Sequence, residues 1–194
     1  MSERGSDAEV IAASLEAPER FAEIFDRHYS AVRGYLPRRI DSFSADDLAA
    51  ETFVVALRRR EAYDRSQANA RPWLLGIAVN LLHRERRQER RQLRAYARAV
   101  DERGPSANED RHSFENALAP ELARALLKLS LGDREVLFLY ACADLTYEQI
   151  AVAVGIPTGT VRSRLSRARR QVRELLEAEG AIPKQATLSP GPNR

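Results

Sequence analysis

The chain is short of cysteine, histidine, lysine and long apolar runs, and each shortage removes a class of protein. A lone cysteine, Cys142, cannot form an internal disulfide, which excludes a disulfide-stapled scaffold. The three histidines, His28, His83 and His112, lie far apart without ligand spacing. They suggest no metal site, no resident cofactor and no nucleophile–base pair, so an enzyme is not expected. The most apolar runs, WLLGIAVNLL (73–82) and VLFLYACA (136–143), fall short of the roughly 20 residues that span a bilayer. The polar start, MSERGSDAEV, lacks the basic-then-apolar order of a secretory signal. These absences point to a cytoplasmic protein without membrane insertion. No stretch alternates convincingly at period two, so no sheet is expected.

Basic residues are what the chain does have, and they are arginine. Lys128 and Lys184 are the only lysines among 31 basic residues. Arginine grips phosphate bidentately and stacks on bases, which leans toward nucleic acid. GC-rich coding accounts for the same bias equally well. With 194 residues, 44% hydrophobic and 30% charged, the chain suits small helical domains with modest cores.

Phe21, Ile24, Phe25, His28, Tyr29, Val32 and Leu36 recur at three and four, predicting an amphipathic helix over 19–36. Ser44 is placed to cap the next helix, with Asp46 and Asp47 in its first turn. Residues 63–72, YDRSQANARP, read as loop. Pro72 suits the first turn of a third helix, whose apolar side carries Trp73, Leu74, Ile77, Ala78, Leu81 and Leu82 and which continues into an arginine run. The texture changes near Val100. VDERGPSANEDRHSFENA reads as a flexible linker, and helices are expected again at 120–129, 133–143, 146–154 and 158–178. The tail, GAIPKQATLSPGPNR, and the first 16 residues read as disordered.

LTYEQIAVAVGIPTGTVRSRLSRARR has the layout of a helix-turn-helix. Thr146 and Gln149 form a capping box, Ile150, Ala151 and Val154 face inward, and Gly155 can take the left-handed turn conformation. In the second helix Val161, Leu165, Ala168, Val172 and Leu175 form one buried stripe. Thr158 to Arg167 would then enter a major groove, while Arg169, Arg170 and Arg173 would hold phosphates. A merely solvated helix would interleave acids with its arginines, and none occurs between Gln149 and Glu174.

Two further features lie in the first half. DDLAAETF (46–53) places Asp47 and Glu51 at i,i+4, either as helix capping or as a docking face for a basic partner. RPWLLGIAVNLLHRERRQERR puts Trp73 and Asn80 seven apart, on one helix face, ahead of Arg84, Arg86, Arg87, Arg90, Arg91 and Arg94. A lone tryptophan is commonly core. With an amide and a basic rim it also suits single-stranded DNA, the preceding loop supplying a pocket from Tyr63, Asp64, Ser66 and Gln67.

Taken in order, FAEIFDRHYSAVRGYL, DDLAAETFVVALRR, RPWLLGIAVNLL with its arginine run, and the helix-turn-helix resemble the extracytoplasmic-function (ECF) sigma factors of the sigma-70 family. The resemblance covers about 17–178. It implies an all-α chain of two small helical domains joined by a flexible linker. The first, 17–98, would be of sigma region 2 type. The linker would span 99–117. The second, 118–179, would be a helix-turn-helix (winged-helix-like) domain of region 4 type, followed by the tail 180–194. It implies binding to core RNA polymerase, one copy per enzyme, and promoter-specific initiation.

On this resemblance Asp46, Asp47, Leu48, Glu51 and Phe53 would dock on a polymerase coiled coil. Trp73, Ile77, Asn80, Arg84, Arg86 and Arg87 would read and melt the −10 element. Thr158, Thr160, Arg162, Ser163, Arg164, Ser166, Arg167, Arg169 and Arg170 would meet the −35 duplex. An anti-sigma factor is the implied regulator. The chain departs from the family pattern at His83-Arg84-Glu85-Arg86, where many members place an acid and then a basic pair. It departs again at Pro157, where a capping serine is common. A helix-turn-helix regulator binding paired half-sites as a dimer is the alternative.

Overall fold

Every regular element in the computed structural model is helical among the described residues, 5–36, 42–100 and 119–182. The chain divides into two compact units, Met1–Glu109 and Asp110–Arg194.

The first unit begins with α1 (Asp7–Glu16), where a disordered segment was expected. Ser6 and Glu9 form a reciprocal capping box, and Val10, Ile11 and Ser14 are buried. A polar opening therefore hid a capped helix with one apolar stripe. The helix expected over 19–36 is split: Pro18 starts a 3-10 turn (Pro18–Phe21), and α2 follows (Ala22–Tyr35). Next comes α3 (Ser42–Arg59), starting two residues before the expected cap at Ser44. Asp46 and Asp47 are thus beyond its first turn, which weakens any purely capping role for them. After a 3-10 turn at Arg60–Ala62 and the loop, α4 runs from Arg71 to Val100, two residues past the expected domain edge. α3 and α2 both pack on α4, and Ile24, Tyr35, Leu74, Leu75 and Leu82 are fully buried in the core.

The expected linker falls mostly on 101–118 and the expected tail mostly on 183–194, outside the described residues. The second unit comprises α5 (Pro120–Leu127), α6 (Leu131–Ala143), α7 (Tyr147–Val154) and α8 (Thr158–Ala178). Ser130 caps α6 by accepting from the Asp133 N–H, so this helix starts two residues earlier than its apolar pattern suggested. The Thr146–Gln149 capping box opens α7, and Gly155 ends it at φ +69°, where a side chain would be strained. α8 packs on α5, α6 and α7, with Val161, Leu165 and Ala168 buried. Val172 and Leu175 are half-buried, as are Ala151 and Val154, while Ala153 faces the core.

Candidate nucleic-acid and docking interfaces

The buried stripe of α8 sorts its polar residues. Arg162, Ser163, Ser166, Arg167, Arg169 and Arg170 are exposed on the remaining arc, while Thr158, Thr160 and Arg164 are half-buried at its edges. Several of these side chains are already held. The Arg167 Nε lies 3.7 Å from the carboxylate of the buried Asp133. The Arg164 guanidinium lies over Gly132, at the start of α6, where an added Cβ would come within 2.7 Å of its Nη1. The Arg169 guanidinium sits 4.6 Å above the Tyr140 ring, a cation–π contact. Ser163 Oγ donates to the Thr160 carbonyl at 3.0 Å, and Arg170 pairs with Glu174 at 3.8 Å. Sequence reasoning found the helix and missed these α6 partners, because Asp133 and Tyr140 belong to another element.

In the first unit, 100° per residue places Trp73, Ile77, Asn80, Arg84, Arg87 and Arg91 on one face of α4. Asn80, Arg84, Arg87 and Arg91 are exposed and Trp73 is half-buried. Ile77 is buried at 7% exposure, so it packs beneath this face. Arg86 lies well round the helix and is half-buried, which removes it from the row. Arg91 was left out of the expected site, yet its spacing of four from Arg87 was visible in the sequence. Arg90 and Arg94 have side chains outside the described set.

The loop ahead of α4 differs from the pocket expected there. Tyr63 is buried and its ring lies 5.0 Å from Trp73, with its hydroxyl donating to the Gln67 carbonyl. Burial, and then the Asp7 and Asp64 carboxylates, push its hydroxyl up to about 12. Tyr63 is thus a pillar under the loop. Asp64 accepts from the backbone N–H and hydroxyl of Ser66 at 3.0 and 2.7 Å, and these bonds lower its pKa.

The acidic stretch also divides. Leu48 and Phe53 are buried, at 6% and 5% exposure, so they anchor α3, while Asp47 is exposed and Asp46 and Glu51 are half-buried. Asp46 is paired with the Arg33 guanidinium, which holds its carboxyl below the usual range. Beside the acids, Phe25 stacks on Tyr29 at 4.7 Å and meets Phe53 edge-on at 4.9 Å. Phe25 and Val54 remain exposed, giving an acidic face with an apolar edge.

These three surfaces sit within segments that match known family models. Residues 24–92 match sigma-70 region 2 and residues 120–172 match sigma-70 region 4, so the chain combines the two modules of a sigma-70 factor. It is 32% identical to the RNA polymerase sigma factor CarQ of Myxococcus xanthus, over 82% of this chain and 91% of that protein. It is 33% identical to the ECF RNA polymerase sigma factor EcfG of Rhodopseudomonas palustris (strain TIE-1), over 71% and 74% of the two chains. Its structure is similar to CnrH, solved in complex with the cytosolic domain of CnrY: TM-score 0.62 and 25% identity, covering 89% of this chain and 98% of that one. The chain belongs to the ECF sigma factors, which direct RNA polymerase to promoters. Among the described residues no helix is long and apolar enough to cross a membrane.

Proposed function

We propose that the two units divide promoter recognition between them. α8 enters the major groove of the −35 element, with Arg162, Ser163, Ser166 and Arg167 nearest the bases and Arg169 and Arg170 toward the phosphates. The α4 face bearing Trp73, Asn80, Arg84 and Arg87 meets the melted −10 strand, the ring stacking and the guanidinium groups following the backbone. The α3 acids, with Phe25 and Val54 at their edge, dock on a basic surface of core RNA polymerase. The polymerase performs RNA synthesis and this chain supplies recognition, one copy per enzyme. An anti-sigma protein covering the docking face is the expected regulator, and the complex of CnrH with the cytosolic domain of CnrY is a precedent for a protein partner.

The observation that carries this reading is the stretch of α8 from Thr158 to Arg173, whose exposed arginines have no acid interleaved, opposite the buried Val161, Leu165 and Ala168. Asp47→Lys combined with Glu51→Lys should weaken core polymerase binding roughly tenfold or more, because like charges would face each other. Binding of −35 duplex by the same variant should be unchanged. Equal core affinity for variant and parent, measured by competition in promoter-specific run-off transcription, would reject the docking face. Binding of a palindrome as a dimer, with no effect on polymerase, would reject the whole reading.

A further inference from the structure

Residues 64–69 are all exposed, yet the loop they form is pinned at both ends. Near its start, Asp64 and Tyr63 bond to Ser66 and Gln67. At its close, the Asn69 side-chain oxygen accepts from the Arg71 N–H at 2.9 Å, at the entry to α4. The remaining fastening comes from a residue more than sixty positions earlier. The Asp7 N–H donates to the Ala68 carbonyl at 3.1 Å, and Asp7 Oδ2 accepts from the Ala70 N–H at 2.8 Å. The same carboxylate meets His28 Nε2 at 2.6 Å and Arg27 Nη1 at 2.8 Å. Asp7 is 6% exposed, and a carboxylate so placed is costly unless several donors satisfy it. Those donors come from α2 and from the end of the loop, so one side chain joins three elements.

We infer that Asp7 is a positioning residue for promoter melting: from α1 it clamps the 68–70 end of the loop and so fixes residues 64–69, beside Trp73, in a shape that receives an unstacked −10 base. This rests on the reading that the α4 face meets the melted strand. A merely structural Asp7 would affect folding and polymerase binding without altering base preference. A positioning Asp7 alters the preference itself.

The test uses holoenzyme assembled from the full chain and core polymerase. Its probes are two single-stranded oligonucleotides: one that the parent holoenzyme enriches from a randomised pool, and a scrambled version. Asp7→Asn and Asp7→Ala should each reduce the preference for the enriched strand roughly tenfold, the order of one lost base-stacking contact. Core affinity should stay the same and hydrogen exchange at the Ala70 amide should quicken. A preference retained by the variants would overturn the inference, as would a loss that only follows falling core affinity. Should Asp7→Ala fail to fold, Asp7→Asn carries the test, because its amide keeps one acceptor oxygen for three donors. Arg84→Ala with Arg87→Ala provides the separating arm: it should weaken both oligonucleotides alike. Unchanged binding in that arm would overturn the α4 reading, whereas weakened binding beside unaltered Asp7 variants would overturn the clamp alone.

Discussion

The two units solve the same problem, holding a basic helix in place, by different means. In the second, short-range signals do most of the work. Ser130 and Thr146 cap α6 and α7, Gly155 makes the turn, and three buried residues orient α8. Its Arg124–Glu179 pair, at 2.8 Å, lies at the surface, where ion pairs contribute little, while the buried Asp133 lies 3.7 Å from the Arg167 Nε. In the first unit the buried Asp7 carboxylate gathers groups from residues 27, 28 and 70, and its backbone N–H donates to the carbonyl of residue 68. On the proposed reading, a groove-reading helix is set by its buried stripe and its packing on α6, whereas a loop that meets a single base is fastened by a residue more than sixty positions away.

That contrast can be broken from either side. The largest effect is expected from Leu165→Ala, which removes the centre of the α8 stripe and should cost about 3 kcal/mol. Urea unfolding followed by hydrogen exchange should show the loss in the second unit alone, and an equal loss in the first would show that the units do not hold their helices independently.

Next comes acid. Burial alone would push the Asp7 carboxyl up, but its bonds to His28, the Ala70 N–H and Arg27 outweigh burial and hold it at about 2, below the ordinary 3.8. Its contribution, about 2 kcal/mol, is therefore complete above the ordinary value and disappears as pH falls through about 2. Stability of the first unit measured from about pH 5 down to about pH 2 should fall more steeply in the parent than in Asp7→Asn. Parallel curves would remove the carboxylate from its central role.

The smallest effect belongs to the turn. Gly155 has open space around it, so Gly155→Ala costs only the left-handed backbone strain, about 1 kcal/mol. A thermal melt resolving the second unit measures it, and an unchanged melting point would show that the turn does not depend on glycine.

The same contrast governs what could be read in the sequence. α8 was legible to its ends, Thr158 and Ala178, because a turn glycine and an apolar period bound it locally. The Thr146–Gln149 box was equally plain. α1 carried a similar box at Ser6 and Glu9, but its value depends on Asp7 meeting Ala70, a pairing that spacing along the chain does not encode. For Leu48, Phe53 and Ile77, residue type alone could not tell an exposed position from a buried one, and all three are buried. Tyr63 looked like a pocket wall for the same reason, since its hydroxyl partner is a backbone carbonyl.

The α4 row has a consequence in length. Trp73 and Arg91 are 18 residues apart on one unbroken helix, which at 1.5 Å per residue is about 27 Å. That is roughly eight nucleotide steps of duplex at 3.4 Å each. A helix of this kind is a ruler: on the proposed reading it sets how far upstream of the first unpaired base the last arginine can touch, whatever the segment joining the units allows.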